Sequence, residues 1–191
     1  MTDAAHIAAG LEALAGAARD VAGRAQELAP LVAAMRTALG AGGTLFFAGN
    51  GGSAADAQHL AAEYVVRFAP GQRRGLRAVA LTTDSSILTA AANDFGFDRI
   101  FARQLEALGR PGDVLVVHST SGSSANLVQA VVTARALGLV SVALLGSGGG
   151  SILPLVDHAF VVAGTEVART QELHLAIQHR IAAILTAEFG A

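Results

Sequence analysis

The sequence predicts an α/β fold in three layers, with a parallel sheet between two layers of helices. Short apolar segments alternate with longer segments in which the apolar residues recur at helical spacing. The short segments are apolar on both faces, as expected for parallel strands that helices cover on both sides. Five such strands are predicted, near 44–48, 78–82, 113–117, 140–145 and 158–162.

Two alanine-rich helices are predicted before the first strand. They span roughly 2–28 and 31–39, and Pro30 separates them. Their apolar residues form a stripe that is longer than one small sheet can cover. We therefore expect helices 1–40 to contribute to an interface between subunits, because an exposed apolar stripe favours association. The alternative is that the stripe packs entirely against the chain's own sheet.

A glycine turn follows the first strand and leads into a helix. Gly49, Gly51 and Gly52 permit a sharp turn and a close approach of the backbone to a ligand. We expect Ser53 to cap the helix that follows. The free N–H groups at such a helix start favour a phosphate or another anion.

Three polar residues recur at a spacing of four in this helix. His59, Glu63 and Arg67 therefore share one face. This face either lines a cleft beside the glycine turn or is an ordinary solvated surface. The opposite positions are mostly apolar and supply packing, which leaves the polar face free to meet a ligand.

A second polar loop follows the third strand and leads into another helix. Five hydroxyl groups crowd this helix start, whereas an ordinary N-cap needs only one. Hydroxyl and backbone donors at a helix start can bind phosphate without arginine or lysine. In open α/β sheets, ligands bind outside the carboxyl ends of the strands, where both loops fall. The hydroxyl residues are Ser119, Thr120, Ser121, Ser123 and Ser124.

The glycine run 146–150 is expected to be a plain connection.

Composition and loop sequence argue against several classes of function. The chain has 191 residues, 52% of them hydrophobic, which is enough for one domain with a sizeable core. A net charge of -2 without a basic patch argues against nucleic-acid binding. Neither loop has the Gly-Lys-Ser/Thr ending of nucleoside triphosphatases or the dinucleotide GxGxxG pattern. The chain has no cysteine, signal peptide or apolar run long enough for a membrane, so we expect a cytoplasmic protein.

The last helix, predicted over about 170–189, carries the remaining polar groups. Gln171, His174, Gln178 and His179 lie among regularly spaced apolar residues. A histidine in an amphipathic helix is more often a surface or core residue than a catalytic one. The pattern of the helix alone therefore does not assign His179 a role.

Four motifs together resemble the phosphoheptose isomerases, the sedoheptulose 7-phosphate isomerase family of SIS domains. In order, they are GNGGSAADAQHLAAE, AANDFGFD, STSGSSAN and RTQELHLAIQH, and the resemblance covers nearly the whole chain. It implies a flavodoxin-like sheet and a homotetramer whose sites are shared between subunits. It also implies conversion of sedoheptulose 7-phosphate into D-glycero-D-manno-heptose 7-phosphate, which feeds nucleotide-activated heptose synthesis.

The resemblance also implies a set of site residues. Substrate contacts would come from both loops and from an Asn-Asp pair, and Ser53 and Arg67 are expected to add to them. The implied substrate residues are Asn50, Gly51, Gly52, Asn93, Asp94, Ser119, Thr120, Ser121 and Ser124, with Glu63, Gln171 and His179 also facing the substrate. The implied ligands of a divalent metal, typically zinc, are His59, Glu63, Gln171 and His179. Gln171 and His179 lie ~12 Å apart along one helix, so their convergence needs an irregular helix start or a second subunit.

Isomerisation requires a proton to move between two adjacent carbons of an open-chain sugar. We assign Glu63 as the base toward the carbon-bound proton and His179 as the acid/base toward oxygen, through a cis-enediol. A bound metal would hold O1 and O2. Alternatively, zinc occupies both residues and only orients the substrate.

A non-catalytic, replication-initiator-associating relative lacks counterparts of Glu63 and His179, so their presence favours an enzyme. Two other residues depart from the family pattern. His118 occupies a place that is usually small or apolar, and Ser123 stands where asparagine is common. These departures leave open another sugar phosphate, such as a hexose or pentose phosphate, as the substrate. Outside the enzymes, the alternative is a sugar-phosphate sensor or initiator-associating adaptor that uses the same loops without turnover.

Overall fold

The computed structural model describes residues 2–66, 68, 74–164 and 166–189. Its centre is a five-stranded sheet in which every neighbouring pair is parallel and the strand order is β2-β1-β3-β4-β5. The strands are β1 Leu45–Gly49, β2 Ala78–Ala80, β3 Val114–Ser119, β4 Val140–Leu145 and β5 His158–Val161. The predicted α/β class and its five parallel strands are confirmed.

Helices cover both faces of this sheet. They are α1 Asp3–Gly23, α2 Ala29–Gly40, α3 Gly52–Val65, α4 Ser85–Phe95, α5 Ala102–Leu108, α6 Ala125–Ala136 and α7 Val167–Phe189. Among the described residues, none of the helices is long and apolar enough to cross a membrane.

The core has two parts, one on each face of the sheet. Successive residues of a strand point to opposite faces, so Phe47 packs with α2, α3 and α7, whereas Phe46 packs with α5 and α6. The same alternation separates Val116 from Leu115 in β3. This arrangement gives the three layers that the sequence predicts.

The first helix ends earlier than predicted. It stops at Gly23, and a 3-10 turn over Ala25–Leu28 leads into α2, where Pro30 lies in the first turn. Arg24 accounts for the break, since its Nη1 donates to the carbonyl oxygen of Val161 in β5 at 3.1 Å. A contact with a distant strand therefore interrupts a segment that has helical periodicity.

The first helix contributes little to the core. None of its residues is buried, and only the part from Leu14 onward packs against the core. Ile7 and Leu11 are 62% and 63% exposed. The chain's own sheet therefore does not cover the whole apolar stripe.

The strand order creates a crevice between β1 and β3. The sheet continues through β2 on one side of β1 and through β3 and β4 on the other, so α3 and α6 lie on opposite faces. Gly49 at the end of β1 pairs with His118 near the end of β3. The glycine turn and the hydroxyl loop therefore emerge side by side at the carboxyl edge, where such sheets bind ligands.

Candidate active site

The glycine turn begins α3 in a way that differs from the prediction. Gly51 is the N-cap, with φ +57°, and Ser53 lies inside the helix and is buried. The expected cap at Ser53 is therefore wrong, because a glycine that adopts positive φ lets the helix begin earlier. A Cβ atom on Gly49 would lie 2.5 Å from the carbonyl oxygen of Ser53, so the turn requires glycine there.

The hydroxyl loop, residues 119–124, uses its hydroxyl groups in different ways. Ser119 is buried, and its Oγ accepts a hydrogen bond from the backbone N–H of Gly122 at 3.0 Å. The Ser123 hydroxyl donates to the carbonyl oxygen of Ser121 at 3.3 Å. Ser124 is the N-cap of α6, but its side chain makes no capping hydrogen bond. Ser119 and Ser123 thus shape the loop, while the Ser124 hydroxyl is not used as a helix cap.

The glycine run 146–150 after β4 supports the hydroxyl loop. The sequence does not predict this support. The backbone N–H of Ile152 donates to the carbonyl oxygen of Gly122 at 2.8 Å. A Cβ atom on Gly150 would lie 2.3 Å from the Ser123 Oγ. The run is therefore more than a connection, because its backbone packs directly against the loop.

An amide pair joins the two loops. The Asn50 side-chain nitrogen donates to Oδ1 of Asn126 at 2.9 Å, and the Asn126 nitrogen donates back to Oδ1 of Asn50 at 2.8 Å. Asn126 is 3% exposed. Sequence reasoning did not assign Asn126 a role, although it ends the STSGSSAN motif. The pair fixes the spacing between the glycine turn and the hydroxyl loop.

The histidine–glutamate cluster consists of His59 and Glu63 on α3 and His179 on α7. Each side chain offers a ligand atom, and these atoms all lie within 4.8 Å of one another. Nε2 of His59 lies 2.8 Å from Nε2 of His179 and 3.4 Å from Oε1 of Glu63. The His59 side chain is 46% exposed and the Glu63 side chain 19%, so a ligand from solvent can reach the cluster.

Charges and burial favour a neutral His179. Burial lowers the pKa of His179, the neighbouring His59 lowers it further, Glu63 raises it, and Arg180 lowers it. A neutral imidazole can accept a proton or bind a metal ion. The cluster thus combines an ionisable carboxylate with two imidazoles, one of which is held in its neutral form.

Gln171 lies beside the glycine turn. A Cβ atom on Gly52 would lie 2.7 Å from both terminal atoms of the Gln171 amide. Gly52 and His59 are seven residues apart in α3, which corresponds to about 10 Å along a helix. Within one chain, Gln171 therefore meets the first turn of α3, while His179, two turns later in α7, meets His59.

The Asn-Asp pair that is expected to contact the substrate lies on α4. Asn93 and Asp94 are exposed near the end of α4, and the Asn93 amide nitrogen donates to Oδ1 of Asp94 at 2.8 Å. Arg67 lies outside the described residues. The substrate roles of these three residues stay predictions.

Comparison with known proteins identifies the family. Residues 11–146 match the SIS domain family. The phosphoheptose isomerase of Geotalea daltonii is 52% identical over 164 residues, which cover 84% of this chain and 85% of the relative.

Solved structures agree with this match. Phosphoheptose isomerases from Neisseria gonorrhoeae and Francisella tularensis give TM-scores of 0.90 and 0.92 at 38% and 34% identity. Each match covers 97% of this chain, and 100% and 98% of the respective solved chains. The chain therefore belongs to the SIS domain family and, within it, to the phosphoheptose isomerases.

Proposed function

We propose that this protein is an aldose–ketose isomerase that converts sedoheptulose 7-phosphate into D-glycero-D-manno-heptose 7-phosphate. This reaction is the first step of nucleotide-activated heptose biosynthesis. The observation that carries the proposal is the meeting of Glu63 and His179 in one cluster, in a chain that belongs to the phosphoheptose isomerases. The cluster supplies the acid/base pair that the reaction needs.

The reaction moves a proton between C1 and C2 while a carbonyl and a hydroxyl group exchange places. Glu63 removes the carbon-bound proton, and the neutral His179 exchanges a proton with the substrate oxygen, so a cis-enediol forms. Glu63 then returns the proton to C2, and the O1 hydroxyl gives its proton to His179, which leaves the aldehyde at C1. Both residues reverse their roles in the opposite direction.

The two loops hold the substrate in place. The phosphate is bound by the N-terminus of α6 and by the loop hydroxyls of Ser119, Thr120, Ser121 and Ser124. The Oγ atoms of Ser119 and Ser121 accept from loop N–H groups, which leaves their O–H groups free to donate. The amide pair of Asn50 and Asn126 sets the distance between this phosphate site and the glycine turn. A fixed distance aligns the reacting carbons with the acid/base pair.

The histidine–glutamate cluster also fits a zinc ion in kind. Two imidazoles and a carboxylate are typical protein ligands of catalytic zinc. We assign His59, Glu63 and His179 as ligands, with Gln171 as a fourth ligand from another subunit. When bound, the ion would stabilise negative charge at the substrate oxygens. If it occupies both Glu63 and His179, these residues orient the substrate instead of transferring protons.

Elemental analysis tests the metal. The purified protein should contain about one divalent metal ion per chain, and His59→Ala should lose it. A metal-free protein with full activity that chelators do not inhibit would reject a catalytic metal. The cluster would then act only through proton transfer and hydrogen bonds.

We also propose that the whole chain is one SIS domain and that it forms a homotetramer with shared active sites. The exposed Ile7 and Leu11 support an interface at helices 1–40. An apolar groove of about 570 Å³ between α1, α2 and α7 supports it further. The absence of cysteine supports a cytoplasmic location. The acidic net charge gives no basis for a nucleic-acid partner.

The decisive experiment is incubation of the purified protein with sedoheptulose 7-phosphate, followed by detection of the aldose product. A parallel panel of pentose and hexose phosphates defines the substrate. Turnover of another sugar phosphate alone would change the substrate but keep the reaction. Binding without turnover of any of them would support a sugar-phosphate-binding or initiator-associating protein instead.

A further inference from the structure

A buried polar pair, His118 and Gln178, lies directly behind the site. Both side chains are 0% exposed. The Gln178 amide nitrogen lies 3.2 Å from Nε2 of His118. An amide NH2 group only donates, so Nε2 of His118 accepts and the imidazole carries its proton on Nδ1. Burial favours this neutral form and lowers the pKa of His118 to about 3.

The surroundings of the pair make this hydrogen bond hard to replace. The His118 ring stacks against Phe47 at 6.3 Å between ring centroids, and the His174 ring lies 6.2 Å away. Within the described residues, Nδ1 of His118 and Oε1 of Gln178 have no hydrogen-bond partner. Loss of the bond would leave two further buried polar atoms unpaired, so the pair resists separation.

Each member of the pair precedes a residue of the site. His118 lies in β3 immediately before Ser119, and β3 is held by β1 on one side and β4 on the other. Gln178 lies in α7 immediately before His179. One hydrogen bond therefore ties the strand that carries the hydroxyl loop to the helix that carries His179.

We propose that the hydrogen bond between His118 and Gln178 positions α7 relative to the carboxyl end of β3. With α7 in this position, His179 meets Glu63 at the distance from the bound phosphate that the reaction requires. His118 and Gln178 are thus positioning residues and do not touch the substrate. Enzymatic reactions are sensitive to the placement of catalytic groups against the substrate, since a shift of about 1 Å can lower the rate by ~10²-fold. The inference rests on the proposed isomerase function.

A double-mutant cycle separates positioning from a purely structural role. His118→Leu and Gln178→Leu each leave one buried polar partner, so each should lower the melting temperature. The double variant leaves neither and should regain most of the melting temperature, because two apolar groups replace the bonded pair. A purely structural pair would regain its activity together with its melting temperature.

Positioning predicts a different activity pattern in the same double variant. Its kcat should stay at least about tenfold below that of the natural protein, with KM for sedoheptulose 7-phosphate within about twofold, because the phosphate contacts are intact. His118→Gln keeps an acceptor for Gln178 and should restore most of kcat. Leu185→Ala, a buried change elsewhere in α7, should lower the melting temperature and leave kcat unchanged.

Failure of the inference is distinguishable from failure of the proposed function. No turnover by the natural protein would reject the isomerase and the inference with it. An active natural protein and a double variant with natural kcat would overturn the inference alone. If the double variant does not fold, Gln178→Met decides in its place. Natural kcat in a soluble Gln178→Met variant would then overturn the inference, and a tenfold loss at unchanged KM would support it.

Discussion

At the scale of single residues, the site depends on side chains that lie far apart in the chain. His59 and His179 are separated by 120 positions, yet their Nε2 atoms lie 2.8 Å apart. The spacing of His59 and Glu63 predicts that these two share a helix face, because four residues make about one turn. Spacing contains no information on which face of α7 meets α3. The partner of that face could be predicted only from the motif that contains His179.

The acid/base pair gives the first prediction. Glu63→Gln and His179→Ala should each lower turnover by roughly a hundredfold or more, because general acid–base catalysis contributes ~10²–10⁴-fold. Steady-state kinetics with sedoheptulose 7-phosphate measures this loss. Glu172→Gln is the matched control, since Glu172 is exposed on α7 and belongs to no described part of the site. Turnover near that of the control in either variant would reject the assignment.

Asn126 shows why some site residues escape prediction. Its side chain is paired with Asn50, which lies 76 positions earlier. An asparagine at the start of a helix is also common for local reasons, since its side chain competes for nearby backbone groups. The pairing depends on how close β1 and β3 bring their loops. That distance follows from strand order and register, which the local sequence does not specify.

At the scale of elements, periodicity predicted the strands well and the helix ends less well. Both ends of each predicted strand lie within two residues of the ends of an observed strand. Parallel strands are easy to locate because they are short and continuously apolar. The break between α1 and α2 was predicted, but the end of α1 was placed near residue 28 instead of Gly23. The earlier end depends on Arg24, whose guanidinium group bonds to Val161 and lies 4.7 Å from the Phe160 ring centroid. The start of α3 was misplaced because Gly51 adopts a positive φ.

The hydroxyl loop and the α6 N-terminus give the second prediction. Ser121→Ala removes a donor to the phosphate, and a hydrogen bond to a charged group is worth about 1.5–3 kcal/mol, so substrate affinity should fall about tenfold or more. Inorganic phosphate should inhibit the natural protein competitively and inhibit the variant less strongly. Inhibition constants measured for both proteins test this expectation.

Ser123→Ala provides the control for the loop. The Ser123 hydroxyl bonds to the backbone of Ser121 and accepts from the N–H of Ser151 at 3.3 Å, so it is turned back into the protein. This variant should bind inorganic phosphate nearly as the natural protein does. Equal phosphate inhibition of the Ser121→Ala variant and the natural protein would place the anion elsewhere, at the glycine turn.

At the scale of the whole molecule, the exposed half of α1 gives the third prediction. Ile7→Glu together with Leu11→Glu introduces charge on an apolar surface and should dissociate the assembly into smaller species. Sedimentation velocity measures the change at fixed protein concentration. The monomer fold should survive, since neither residue is buried. Glu12→Gln, a neighbouring change on α1, is the control. An unchanged sedimentation coefficient in the double variant would place the interface elsewhere.

The fourth prediction concerns stability in acid, which depends on the buried histidines. Burial lowers the pKa of His118 to about 3, with His174 adding to the shift. Burial also lowers the pKa of His174 to about 4, although the Leu145 carbonyl opposes this. In the unfolded chain both groups titrate near their ordinary value of 6.5. Below that pH the unfolded chain therefore binds protons that the folded chain does not.

The sign of the effect follows from this difference in bound protons. The free energy of unfolding should fall as the pH drops from about 6.5 toward 4, by up to ~1.4 kcal/mol per pH unit for each histidine. Urea midpoints of metal-free protein at pH 7, 6 and 5 and one protein concentration measure it, so that metal linkage and assembly do not contribute. The variant with His118→Leu and Gln178→Leu retains only His174 of the two histidines. The urea midpoint of this variant should therefore depend on pH about half as steeply as that of the natural protein. An equal slope in both proteins would show that His118 does not contribute to the pH dependence.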